Sequence, residues 1–152
     1  MSQRIAYFQV APDAVKSLSA TRTYFAASGF DPRLRALVEL RVSQINGCAY
    51  CVDMHSREAR QAGEEQQRLD CLPAWRETTF FSERERAALA WAESVTLIHQ
   101  TRAPDDAFEP LRPHFSEKEI VELTLIISVM NAWNRMAIGF RQGPAPRKPG
   151  HE

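Results

Sequence analysis

Apolar residues recur along the chain at spacings of three and four, and no stretch alternates as a half-buried strand does, which predicts an all-α fold. The first helix is expected over residues 12–27, entered at Pro12-Asp13 and stopped at Ala27-Ser28-Gly29. Asp31-Pro32 then reads as an N-cap followed by a proline in the first turn. The helix it opens carries Leu34, Leu37, Val38, Val42 and Ile45 on one side and ends at Asn46-Gly47. A third helix is expected from Cys48 to Gly63, then a short one over 64–69 and a looser segment over 70–81 around Pro73. Ser82-Glu83-Arg84-Glu85 and Ser116-Glu117-Lys118-Glu119 are capping boxes. They open helices predicted at 83–100 and 117–140, with a short helix between them that starts at Pro104-Asp105-Asp106 and is cut by Pro110 and Pro113. The last helix is apolar over more than one face (Ile120, Val121, Leu123, Leu125, Ile126, Ile127), the pattern of a buried helix or one that meets a second subunit.

Composition narrows this to one ordinary domain. The 152 residues are 44% hydrophobic and 25% charged, enough for a real core. Residues 1–141 are expected to form the domain, with a Pro/Gly-rich disordered tail at 142–152. The 19 basic and 19 acidic residues cancel, so charge draws the chain to neither nucleic acid nor an anionic membrane. The N-terminus has no long apolar run, and the stretch from Leu123 to Met130 is too short to span a bilayer. With three cysteines and no secretory signal, the expected compartment is a reducing cytoplasm.

In that compartment a Cys-x-x-Cys pair reads as catalytic or metal-binding. Cys48 and Cys51 form such a pair at a predicted helix start, where unpaired N–H groups favour a thiolate. His55 follows Cys51 at i+4, on the same helix face, as a proton acceptor. One alternative is a pair of small buried core cysteines. Another is zinc held by Cys48, Cys51 and His55, for which Cys71 is a distant fourth ligand with no pairing cysteine. His99 closes a helix, His114 sits in a proline-rich turn and His151 in the tail, and none is a catalytic candidate. Trp75, Trp91 and Trp133 read as core or interface aromatics. Asn131, Asn134 and Arg135 are polar interruptions of the last helix, read as packing or interface residues with the thiol pocket as the alternative.

Residues 39–63, ELRVSQINGCAYCVDMHSREARQAG, resemble the carboxymuconolactone decarboxylase superfamily, above all its alkylhydroperoxidase D-like (AhpD-like) branch. Arg41, Ser43, Asn46-Gly47-Cys48, Tyr50-Cys51, Asp53-Met54-His55, Ala59-Arg60 and Gly63 carry the likeness, and residues 83–98 and 129–141 extend it. The resemblance implies a bundle of about six to seven helices that assembles into a homotrimer or homohexamer. It implies a thiol-dependent hydroperoxide reductase acting in antioxidant defence. Cys51 would attack the peroxide, Cys48 would resolve it, and His55 would relay protons. The redox-active Cys48–Cys51 disulfide would be the only cofactor, re-reduced by an external dithiol such as a lipoyl or thioredoxin-like protein.

Two positions depart from that pattern. The relay glutamate expected twelve residues before the first cysteine is Ala36 here. Glu39, one turn on, is the candidate acid, with a surface pair to Arg35 as its alternative and Glu93 as a weaker choice. The histidine expected between the cysteines is Tyr50, which donates a hydrogen bond but takes no proton near neutral pH. Two further functions remain open: a lactone decarboxylase, which needs no cysteine pair, and a redox sensor whose disulfide alters assembly.

Overall fold

The computed structural model describes residues 2–146. Among them are nine α-helices, two short 3₁₀ turns and no strand, so the all-α expectation holds. The helices are α1 (Tyr7–Val10), α2 (Pro12–Ala27), α3 (Pro32–Asn46), α4 (Ala49–Gln61), α5 (Gln66–Cys71), α6 (Glu83–Thr96), α7 (Ile98–Thr101), α8 (Asp105–Phe108) and α9 (Glu117–Gly139). The count exceeds six or seven because α1, α7 and α8 are single turns of four residues. Of the tail, residues 142–146 carry no regular secondary structure, and 147–152 lie outside the described residues.

The helix ends follow the local chemistry. Asp31 caps α3, its carboxylate accepting from the N–H groups of Arg33 (2.9 Å) and Leu34 (3.4 Å). Gly47 ends α3 with φ +69°, a left-handed conformation that costs glycine little and any residue with a Cβ more. Both capping boxes form, at Ser82–Glu85 and Ser116–Glu119. Two boundaries differ from expectation. The segment after α5 is a 3₁₀ turn, Leu72–Glu77, with Pro73 in its first turn where the missing N–H is harmless. The helix expected over 83–100 breaks at Leu97, where Thr101 Oγ1 turns back to donate to the Ser94 carbonyl (2.7 Å).

Helix α3 is the hub, packing against α4, α6 and α9. Its fully buried Val38 and Val42 join Leu123 and Ile127 of α9 and Ala88 and Ala92 of α6 in the main core. Its Leu37 and Leu40 face a second cluster with Leu72, Trp75 and Leu89. Full burial of each such aliphatic side chain contributes about 1.5–3 kcal/mol, so the core holds the α3–α4 corner firmly. Cys48 and Cys51 belong to the main core, 1% and 2% exposed, which puts the thiols inside the best-packed part of the molecule. Among the described residues no helix is long and apolar enough to cross a membrane.

Candidate active site: a buried thiol pair beside a histidine and two carboxylates

The left-handed turn at Gly47 makes Cys48 the N-cap of α4. Its Sγ accepts the N–H of Cys51 at 3.4 Å, so sulfur does what an N-cap oxygen does elsewhere. That geometry favours charge on Cys48. Its thiol is lowered to about 7, first by the hydrogen bond from the Cys51 thiol, then by the Cys51 N–H, the Asn134 side chain and the charge of His55, all against burial. Cys51 moves the opposite way and is pushed far up, first as the donor in that same hydrogen bond and then by burial. The two shifts agree in direction: the hydrogen bond between the sulfurs favours the charge on Cys48 and the proton on Cys51.

Access has the opposite preference. A cavity of about 250 Å³ reaches Cys51, with His55 and Glu39 beside it, but Cys48 is not in its wall. Most of the wall is apolar and aromatic, including Tyr7, Phe25, Tyr50, Met130 and Trp133. Tyr7 is pushed up to about 12, mainly by burial and then by the nearby Tyr50, Cys51 and Cys48.

His55 is buried, at 4% exposed. Its Nδ1 stands 2.9 Å from Glu58 Oε2 and 3.5 Å from Glu39 Oε2. Both contacts are within ion-pair reach, yet neither ring nitrogen has an aligned hydrogen-bond partner. Each carboxylate is also held by an arginine: Arg35 Nε donates to Glu39 at 2.9 Å and an Arg22 guanidinium N–H to Glu58 at 2.6 Å. Glu58 is lowered to about 2, first by His55 and then by Arg22, against burial.

Of the residues singled out from sequence, Cys48, Cys51, His55 and Glu39 meet in one place. Glu39 does both things weighed for it, pairing with Arg35 and facing His55. Glu93 does not reach the cavity. It accepts from Arg41 (2.9 Å) and Trp75 (2.9 Å) and pairs with Arg76, tying α6 to α3 and the 3₁₀ turn. Asn131 and Asn134 turn out to satisfy buried groups of their own chain. Asn46 donates to both, at 2.9 and 2.8 Å, and Asn134 donates to Ser43 at 3.2 Å. Asn134 also lowers both thiols, a role no local pattern announces. Glu58 and Arg22 had not been singled out. The signal for Glu58 was present, since it follows His55 at i+3 on one helix face. Arg22 comes from α2, 36 residues away, and no spacing points to it.

Glu39, His55 and Glu58 offer ligand atoms within 4.8 Å of one another, a donor set a divalent cation accepts. Arg22 and Arg35 already neutralise both carboxylates there. Among the described residues the cysteines take part in no cluster with metal-ligand spacing, so the zinc alternative finds no support in the geometry.

The carboxymuconolactone decarboxylase family model matches residues 12–94. An uncharacterized Bacillus subtilis protein, YdfG, is 44% identical over 138 residues, covering 91% of this chain and 94% of its own. A solved structure from Agrobacterium tumefaciens, a protein of unknown function named as a candidate antioxidant defence protein AhpD, superposes with TM-score 0.91 at 47% identity, covering 95% of this chain and all of that one. A peroxidase-related protein from Ralstonia eutropha with an alkylhydroperoxidase AhpD core superposes with TM-score 0.78 at 23% identity, over 91% of this chain and 74% of that one.

Proposed function

The chain belongs to the carboxymuconolactone decarboxylase family with an AhpD-like fold, and within that family we propose that it is a thiol-dependent hydroperoxide reductase working through Cys51 and Cys48. The observation that carries this reading is the placement of the pair: two free, buried thiols three residues apart, with Cys51 beside His55 in the cavity wall and Cys48 behind it.

Passing the Cys51 proton to Cys48 puts the thiolate where a substrate arrives, and His55, one turn on, is placed to handle it. The Cys51 thiolate attacks the terminal peroxide oxygen, an S–O bond forms and the O–O bond breaks. The alkoxide leaves as an alcohol, with a proton supplied from the His55 side. Cys51 is then a sulfenic acid. Cys48 gives its proton to His55, left neutral by the first step, and its thiolate attacks that sulfur; the S–S bond forms and the leaving hydroxide takes the proton from His55 as water. The sum is one hydroperoxide and two thiols giving alcohol, water and a disulfide. Two electrons return from an external dithiol, which forms its own disulfide and restores both thiols. Tyr50 and Tyr7 line the cavity as phenols that donate hydrogen bonds and do not compete as bases.

Assembly into a homotrimer or homohexamer is part of the proposal. Val121 and Leu125, one turn apart on α9, are 68% and 40% exposed, apolar side chains that a second copy would cover, and light scattering that returns a monomer would remove this part. The decarboxylase alternative is less well supported, since both arginines of the cavity wall are paired with carboxylates.

The variants Cys51→Ser and Cys48→Ser test the reading. Consumption of an organic hydroperoxide with dithiothreitol as reductant should fall at least a hundredfold in Cys51→Ser. With no reductant present, Cys48→Ser should consume one peroxide per chain and leave a trapped sulfenic acid at Cys51. Full turnover in the double serine variant would rule the mechanism out.

A further inference from the structure

Three observations around His55 converge on a residue outside the expected set. The first is proximity: Glu58 Oε2 is the nearer carboxylate oxygen to Nδ1, 2.9 Å against 3.5 Å for Glu39. The second is commitment. Glu39 and Arg35 are both on α3 and pair within one helix at i,i+4, whereas Glu58 is fixed across helices by Arg22 of α2. The third is placement. A second groove, at the surface, shares Arg22, Arg35 and Glu39 with the thiol cavity, and adds Glu58 and Ala36. Glu58 lines this groove and not the cavity, while His55 lines the cavity and not this groove. Glu39 lines both spaces, so they adjoin, and Glu58 is the carboxylate beside His55 that faces the groove alone.

We infer that Glu58, clamped by Arg22, is the residue that supports the positive charge on His55 and forms the outer end of the proton path, standing in for the carboxylate that Ala36 lacks. It is a positioning residue, acting on the thiols through the imidazole, and Glu39 is the lesser partner. At 2.9 Å from Nδ1 but unaligned as a hydrogen bond, Glu58 acts on the ring through its charge. It stabilises the imidazolium formed when the ring takes the thiol proton. Glu58 faces the groove and not the cavity, so a proton handed to it leaves on the groove side. The charged and titratable groups that face this arrangement are Arg22 from α2, Arg35 and Glu39 from α3, Cys51 and Tyr50 from α4, Cys48 at its cap, and Tyr7 from α1.

The inference rests on the thiol reading above, but its test needs no peroxide. The rate of alkylation of the reduced pair by iodoacetamide is measured from pH 5 to 10, with the site of modification read by peptide mass spectrometry. Removing the charge in Glu58→Gln takes away support for the positive imidazole, a charge that lowers the Cys48 thiol. The alkylation midpoint should therefore move up by about one pH unit, a tenfold slower reaction at neutral pH. Glu39→Gln should move it less, and Glu58→Asp should recover part of the loss. Arg22→Gln, at a side chain 65% exposed, leaves the core untouched and should reproduce part of the Glu58→Gln shift by releasing the clamp. An unchanged midpoint in Glu58→Gln, or an equal or larger shift in Glu39→Gln, overturns the inference. If Glu58→Gln does not fold, an unchanged midpoint in Arg22→Gln does so instead. A protein that shows these shifts yet consumes no hydroperoxide would keep the positioning role and lose the peroxidase function.

Discussion

At the scale of single residues, reactivity here depends on which group holds a proton and which faces open space. Sequence spacing disclosed Cys48, Cys51 and His55 because all three lie within two turns of one helix. Glu39 came from the family resemblance and its Arg35 partner from the i−4 spacing, and the α3–α4 corner then brings His55 opposite. The apolar periodicity singled out Asn134 as a polar interruption of α9 but not its partner Ser43, 91 positions away in the chain. That amide makes a sharp prediction. Asn134 is fully buried, donates to Ser43, accepts from Asn46 and favours the charged form of both thiols. Asn134→Leu should destabilise the fold by about 1–3 kcal/mol, because Asn46 and Ser43 lose partners in a dry environment. Urea unfolding measures that cost. The same variant should raise the pH at which the pair alkylates, because the thiolate loses a donor. Normal stability with an unshifted profile would mean that Asn134 only fills space.

At the scale of elements, the long helices were readable from period and caps, and the short ones were not. Helix α2 begins and ends where Pro12 and Ser28-Gly29 put it, and α3 runs from its Asp31 cap to Gly47 as its end signals dictate. The four-residue α1 has too few positions for a period and no side-chain cap. It is held by tertiary contacts instead: the Arg4 N–H donates to the Phe140 carbonyl (2.9 Å), and Tyr7 packs on Phe140 with ring centroids 5.3 Å apart. The break at Leu97 depends on the Thr101 hydroxyl reaching back to Ser94, seven residues earlier, and the apolar periodicity runs straight through it. Because α3 positions both Glu39 and the Gly47 turn, its start matters to the site. Asp31→Ala removes the cap from two N–H groups and should cost about 1 kcal/mol, lowering the melting temperature by about 2–4 °C. The thiols lie at the far end of α3, so their alkylation profile should stay unchanged. A shifted profile would show that the loss reaches the corner.

At the scale of the whole molecule, the fold brings five helices to one cavity: α1 supplies Tyr7 and Phe8, α2 Arg22 and Phe25, α3 Arg35 and Glu39, α4 Cys51 and His55, and α9 Met130 and Trp133. All-helical class, a single α3–α4 corner and the cysteine chemistry were all legible from one chain. The convergence of α2 and α9 on that corner was not, because helix order in sequence does not fix which faces meet. This convergence keeps both thiols buried while giving Cys51 alone a route outward, and the proposed peroxidase depends on it. The most direct measurement exposes fully reduced protein to one equivalent of an organic hydroperoxide and counts free thiols before and after. The account predicts loss of two thiols per chain, a Cys48–Cys51 disulfide in the peptide mass map, an intact Cys71 and one alcohol formed per peroxide consumed. Unchanged thiols under excess hydroperoxide, or oxidation confined to Cys71, would contradict it.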